Sequence, residues 1–169
     1  MIMLRSICSI ALLVTSLVLP TAALAQQPLP AAGDESQLIA TLNSDAELFD
    51  KAKACQRLAI IGTSKSVPVV AKLLAHPGLS HYARLALEAN PSLEVDKAFR
   101  DALGKLNGRQ LVGVINSVAT RKDRQSVDAL VRLAAGDDNE VAAAAVSALG
   151  TFATPESISA VQQALTDKP

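Results

Sequence analysis

Residues 136–165 read GDDNEVAAAAVSALGTFATPESISAVQQAL, and their punctuation decides the fold. Gly136-Asp137-Asp138-Asn139 is a strong turn signal. From Glu140 to Gly150 the apolar residues fall at helical spacing, and Gly150 supplies a natural stop. Thr154-Pro155-Glu156 then opens a second helix, with Thr as cap, Pro in the first turn and an acid near the positive end of the helix. Two short helices joined by a tight turn carry an apolar stripe that neither can bury alone. Such a segment needs neighbours of its own kind to stack on.

The rest of the chain supplies them. Leu58, Leu87, Val118 and Leu149 form one set of aligned apolar positions. Val67, Val95, Val127 and Ile158 form a second set, eight or nine residues after the first. Both sets recur roughly every 31 residues. Val70, Ala98, Leu130 and Val161 follow the second set by three. Cys55, Arg84, Ile115 and Val146 precede the first by three, and there Arg84 breaks the apolar pattern unless the register slips to Ala83. Within units, turns are signalled by Gly62 followed by Thr63-Ser64-Lys65-Ser66, by Asn90-Pro91-Ser92 and by the polar run from Thr120 to Arg124. Between units stand His76-Pro77-Gly78 and Asn107-Gly108. The expected fold is an all-α, right-handed α-solenoid of about four helix pairs over residues 44–169. Residues 26–43 precede it as a linker with a short helix from Asp34 to Asn43, where Leu38, Ile39 and Leu42 keep helical spacing.

The acidic turn, the Val141 position, the Ala-rich stretch and the Ala148-Leu149-Gly150 ending resemble the first helix of a HEAT repeat. The segment from Thr154 to Leu165 resembles the second. The resemblance covers roughly residues 45–166; it is strongest in the last unit and weakest in the second, where Ala86-Leu87-Glu88 replaces the family's A-L-G. The family's Arg after the Val is missing: Ala142 stands there, and Lys51 alone offers a base at the aligned place of the first unit. That removes the usual support for a ladder of Asp–Arg contacts between repeats. As a whole the sequence resembles small secreted bacterial HEAT-repeat domain proteins, and the resemblance implies protein binding, not a reaction.

Composition agrees with helices. Of 169 residues, 50% are hydrophobic but only 2% aromatic, with no Trp. Small and straight aliphatic side chains suit helix–helix packing, whereas sheets favour aromatic and β-branched residues. Sixteen basic and sixteen acidic residues leave a formal charge of zero, so no broad footprint for nucleic acid or anionic lipid is expected. The N-terminus has an export pattern over residues 1–25. Arg5 is the positive start, residues 7–19 are mostly apolar, Pro20 breaks the run, and Ala23-Leu24-Ala25 is a cleavage motif. A periplasmic or secreted protein is expected, with no membrane segment after cleavage. Cys8 leaves with the signal, so the mature chain keeps Cys55 as its one thiol and has no internal disulfide.

Chemistry-bearing patterns are sparse. His76 and His81 are separated by Pro77-Gly78 and lack a third ligand, so no metal is expected. Cys55 falls on an aligned apolar position and reads as a small core hydrophobe. There is no serine elbow or phosphate-cradling glycine loop. Asp45, Glu47 and Asp50 suit a helix start. Arg121, Lys122 and Arg124 read as a solvated basic turn. One pattern stands out: Lys72, Arg100, Arg132 and Gln163 follow the second anchors by five, on the side of the helix away from the core. Stacking would align them as a partner-binding ladder on the second-helix face, which is the concave one in HEAT-like solenoids. The competing reading is that Asp96–Arg100 and Asp128–Arg132 are helix-supporting i, i+4 pairs. The functional expectation is a non-enzymatic protein-interaction or scaffolding module exported to the cell envelope, without cofactor, whose protein partner presents an acidic surface. The alternative is a HEAT-like lyase or ligand-handling protein acting on a chromophore or other small molecule.

Overall fold

The turn signals fall at or beside helix ends in the computed structural model, which describes residues 35–167. The export pattern of residues 1–25 and the first part of the linker lie outside those residues. Among the described residues there are nine α-helices and no strand. They are α1 (Glu35–Asn43), α2 (Leu48–Ile61), α3 (Val67–Lys72), α4 (Ser80–Ala89), α5 (Leu93–Leu103), α6 (Gly108–Arg121), α7 (Val127–Ala134), α8 (Asn139–Phe152) and α9 (Pro155–Asp167). Short 3-10 turns at Leu73–Ala75 and Arg124–Ser126 extend α3 and lead into α7.

The helices stack in two layers. α2, α4, α6 and α8 pack side by side in one layer. In the other, α1 packs on α3, α3 on α5, and α7 on α9. Each pair α2/α3, α4/α5, α6/α7 and α8/α9 is one solenoid unit, and α1 lies where the second helix of a preceding unit would lie. Leu42 carries α1 into the core. The Glu35 carboxylate accepts from the Thr63 backbone N–H at 2.7 Å and from its hydroxyl. Desolvation alone would push the Glu35 carboxyl up, but these hydrogen bonds outweigh it and hold the carboxyl below its usual range.

The core forms as the spacing requires. Leu58, Leu87, Val118 and Leu149 are all buried, as are Val67, Val95 and Val127. Ile158 is not: it is 51% exposed, and Ser157 is buried in its place. The same serine recurs as Ser66 and Ser126, both buried. Its hydroxyl donates back to Thr63 O, to Asp123 Oδ2 and to Thr154 O at 2.7–2.9 Å. In the second unit the slip at Arg84 is real: Ala83 is fully buried and Arg84 half-buried. One helix later, Phe99 fills the core and Ala98 is only half-buried.

Caps follow side-chain chemistry. Asp138 accepts from the N–H groups of Glu140 and Val141 to start α8, and Ser92 accepts from Glu94 N to start α5; such caps contribute about 1 kcal/mol each. Thr154 Oγ1 accepts from Ser157 N. Gly62 does end α2 as its cap, and glycine is needed there because a Cβ would clash with the Leu58 carbonyl oxygen. Gly150 does not end α8. It is exposed within the helix, which runs on to Phe152 and stops at Ala153 in the left-handed conformation, φ 50°.

Cys55 is fully buried, and burial raises its thiol to about 11. Between pH 9 and 11 the unfolded chain loses a proton that the native chain keeps, so stability should fall as pH rises through that window. Below it, the native thiol stays protonated. Ellman's reagent at pH 8 should therefore label the folded chain far more slowly than the chain in denaturant. Equal rates would place the thiol in contact with solvent.

Candidate functional site

The second-helix layer carries the four ladder residues, and they are not equivalent. Lys72 ends α3 and is exposed; Arg132 and Gln163 are exposed on α7 and α9. Arg100 is half-buried, and its Nη1 donates to Asp123 Oδ2 at 2.6 Å, across to the loop after α6. Asp123 is only 7% exposed. The expected i, i+4 partner of Arg100, Asp96, is engaged elsewhere: it accepts from Arg121 Nε at 2.5 Å. The i, i+4 pair that does form on α5 is Lys97–Asp101, at 2.8 Å.

Arg121 corrects the sequence reading most. Its side chain is 12% exposed, so it is no part of a solvated turn. Besides Asp96, its Nη1 donates to Asn90 O at 2.7 Å and Glu88 O at 3.3 Å, and its Nη2 to Ser92 O at 3.2 Å. The Glu88 and Asn90 carbonyls close α4 and open the next loop, where backbone acceptors lack helical partners, while Ser92 O, at the start of α5, also accepts from Val95 N–H. One planar fork of donors satisfies them together. Of the three basic residues in that turn, Lys122, left-handed at φ 56°, and Arg124 remain exposed.

Units two and three are thus joined by crossed Arg–Asp pairs, Arg121–Asp96 and Arg100–Asp123. The missing Arg at Ala142 did not preclude an Asp–Arg contact between repeats; other positions build it. The first-helix layer adds a polar junction. Arg84 Nη1 donates to Gly113 O at 3.3 Å, and Ser117 donates to Glu88 at 2.5 Å. A Cβ at position 113 would lie 2.6 Å from Arg84 Nε, so glycine makes room for the guanidinium that breaks the second unit's pattern. Between units one and two, buried Asn90 donates from Nδ2 to Thr63 O at 2.9 Å.

On the same layer a groove of about 720 Å³ opens between α3 and α5. Ala71, Leu74, Ala98 and Leu106 contribute its apolar surface, and Lys72, Lys97, Lys105, Glu94 and Asp101 its charged one. The volume falls within the range of binding sites for small ligands and side-chain clusters. Sequence reasoning found Lys72 but not the groove, because a gap between helices leaves no mark on the spacing within one helix.

The other sequence candidates do not assemble into a site. His76 Nδ1 accepts from Gly78 N–H, and the His81 ring lies edge-on to Tyr82 with centroids 5.6 Å apart. Among the described residues no group of three or more His, Cys, Asp or Glu is arranged to hold a metal ion, and no helix is long and apolar enough to cross a membrane.

Residues 84–169 match the family model for HEAT repeats. No curated protein matches the chain. HEAT repeats in general mediate protein–protein interaction and are typically non-enzymatic.

Proposed function

Because the chain belongs to the HEAT-repeat family, we propose that it is a protein-interaction module of the cell envelope that offers its second-helix face to a partner. The supporting observation is the α3–α5 groove, an apolar surface edged with lysines on a scaffold whose neighbouring units are held by ion pairs and buried hydrogen bonds. A face ordered before binding loses little conformational entropy when a partner docks. Lys72 on the groove and Arg132 and Gln163 beyond it are open to contact. Arg100 contributes by holding the turn after α6 in place. The lysines favour a partner with carboxylates, whose attraction would weaken as salt rises.

Export rests on the sequence of residues 1–25, with cleavage after Ala25. Intact mass of the protein from a periplasmic extract should correspond to a chain starting at Gln26; a full-length chain in the membrane fraction would refute it. Crosslinking from the mature chain in the envelope fraction, read by mass spectrometry, should enrich a specific protein. Failure to enrich any protein, with an absorbing small molecule bound instead, would favour the ligand-handling alternative.

A further inference from the structure

The α3–α5 groove has a direction. Both helices begin at the same end, where Asn90 reaches Thr63. Glu94 lies in the first turn of α5, at that end. Lys72 closes α3, which is shorter than α5, and Lys105 follows α5, so both lysines lie on the far side of the groove's middle, Lys105 beyond Lys72. Between them Lys97 is paired with Asp101, whose carboxyl the lysine hydrogen bond holds below its usual range. The charge left for a ligand is therefore an acid at one end and two ammonium groups towards the other. Ala71 and Ala98 keep the middle apolar and shallow, which lets another backbone come close. α5, 11 residues long, spans about 16 Å at 1.5 Å per residue. An extended segment of about five residues covers the same length.

We propose that this groove holds a short segment of a partner protein, apolar along its length and ending in carboxylates that lie over Lys72 and Lys105. The assignment rests on the interaction-module reading above and goes further by naming the segment's chemistry and polarity. Apolar contact with the alanines would supply the affinity, and the lysine pair the orientation. Arg100 is turned to Asp123 on the other side of α5, so the clamp and the groove use opposite flanks of one helix.

The probes are fluorescein-labelled peptides of about eight residues with capped termini. One has an apolar run ending in Glu-Glu, one ends in Lys-Lys and one in Gln-Gln. Anisotropy is read with the mature chain. The Glu-ended peptide should bind, and more weakly as salt rises. Lys72→Glu with Lys105→Glu should weaken it at least about tenfold and favour the Lys-ended peptide. Lys122→Glu with Arg124→Glu changes net charge equally on exposed residues away from the groove, and should leave binding within about twofold. Ala98→Glu should abolish binding with helix content by circular dichroism unchanged. Equal binding of the three peptides would overturn the proposal, as would indifference to the Lys72 and Lys105 reversals. A dimer in sedimentation that Ala98→Glu dissociates would assign the groove to a second copy instead. Peptide binding that appears only after residues 26–33 are removed would assign it to this chain's own segment. The two readings fail separately: envelope crosslinking that survives the Lys72 and Lys105 reversals keeps the interaction module and removes the groove.

Discussion

Replacing Arg121 with Ala should lower the stability of the folded chain by about 3–5 kcal/mol, measured by urea unfolding. The substitution leaves Asp96, at 18% side-chain exposure, without its cation. It also strips donors from the carbonyls of Glu88 and Asn90, while Ser92 O keeps the Val95 N–H. Unmet acceptors and an unpaired carboxylate both carry desolvation costs that the folded state cannot escape. Arg121→Lys should recover only a small part, because a single ammonium cannot reproduce the planar fork that reaches several acceptors. Arg124→Ala, three residues on and exposed, should change stability by no more than about 0.5 kcal/mol. A loss below about 1 kcal/mol for Arg121→Ala would mean that the junction is held by its apolar packing alone.

Phe99→Ala should be comparably severe, at about 3–5 kcal/mol. Phe99 is fully buried, and removal of its ring leaves a cavity that neighbouring units can only partly fill. The informative contrast lies on the same helix. Leu93 is 81% exposed, and Leu93→Ala should fall within about 0.5 kcal/mol. Phe99→Leu, which keeps much of the volume, should cost no more than about 1.5 kcal/mol. Chemical denaturation of the three variants checks the order. A mild effect for Phe99→Ala would show that α5 can slide to present Ala98 to the core, the register that the aligned spacing favours.

The fold was legible wherever a side chain's role depends on its own helix. The burial of Leu58, Leu87, Val118 and Leu149 follows from spacing, and the starts of α8 and α9 follow from Asp138 and Thr154. Legibility ended where a role depends on the neighbouring unit. Arg84 looks like a flaw in the repeat until Gly113 is seen to make room for it. Arg121 looks like loop charge because its acceptors lie 25 to 34 residues away, beyond any i, i+4 arithmetic. Ile158 was placed in the core by extrapolation, but Ser157 takes the inward position to close its own turn. Gly150 is permitted in an exposed helix and so marked no boundary. The repeated serine at 66, 126 and 157 was present in the sequence and could have been found by aligning polar positions as well as apolar ones. Of the candidate site, Lys72 was visible and the groove was not.

The Arg121 junction also bears on the order in which the chain can assemble. Bringing together residues some 30 apart costs little in loop entropy, since that cost grows only with the logarithm of length. What delays the junction is supply. The carbonyls after α4 gain their donors only when the last turn of α6 has formed. Asn90 N–H caps Leu87 O within α4 itself, but the carbonyls of Glu88 and Asn90 take their Arg121 donors only once residue 121 is in place. The expected nucleus lies in the second and third units, with α5 held between the two arginine pairs, and φ-values there should exceed those of the outer units. A fragment lacking α6 therefore has little reason to settle, and the stack closes once its middle is complete.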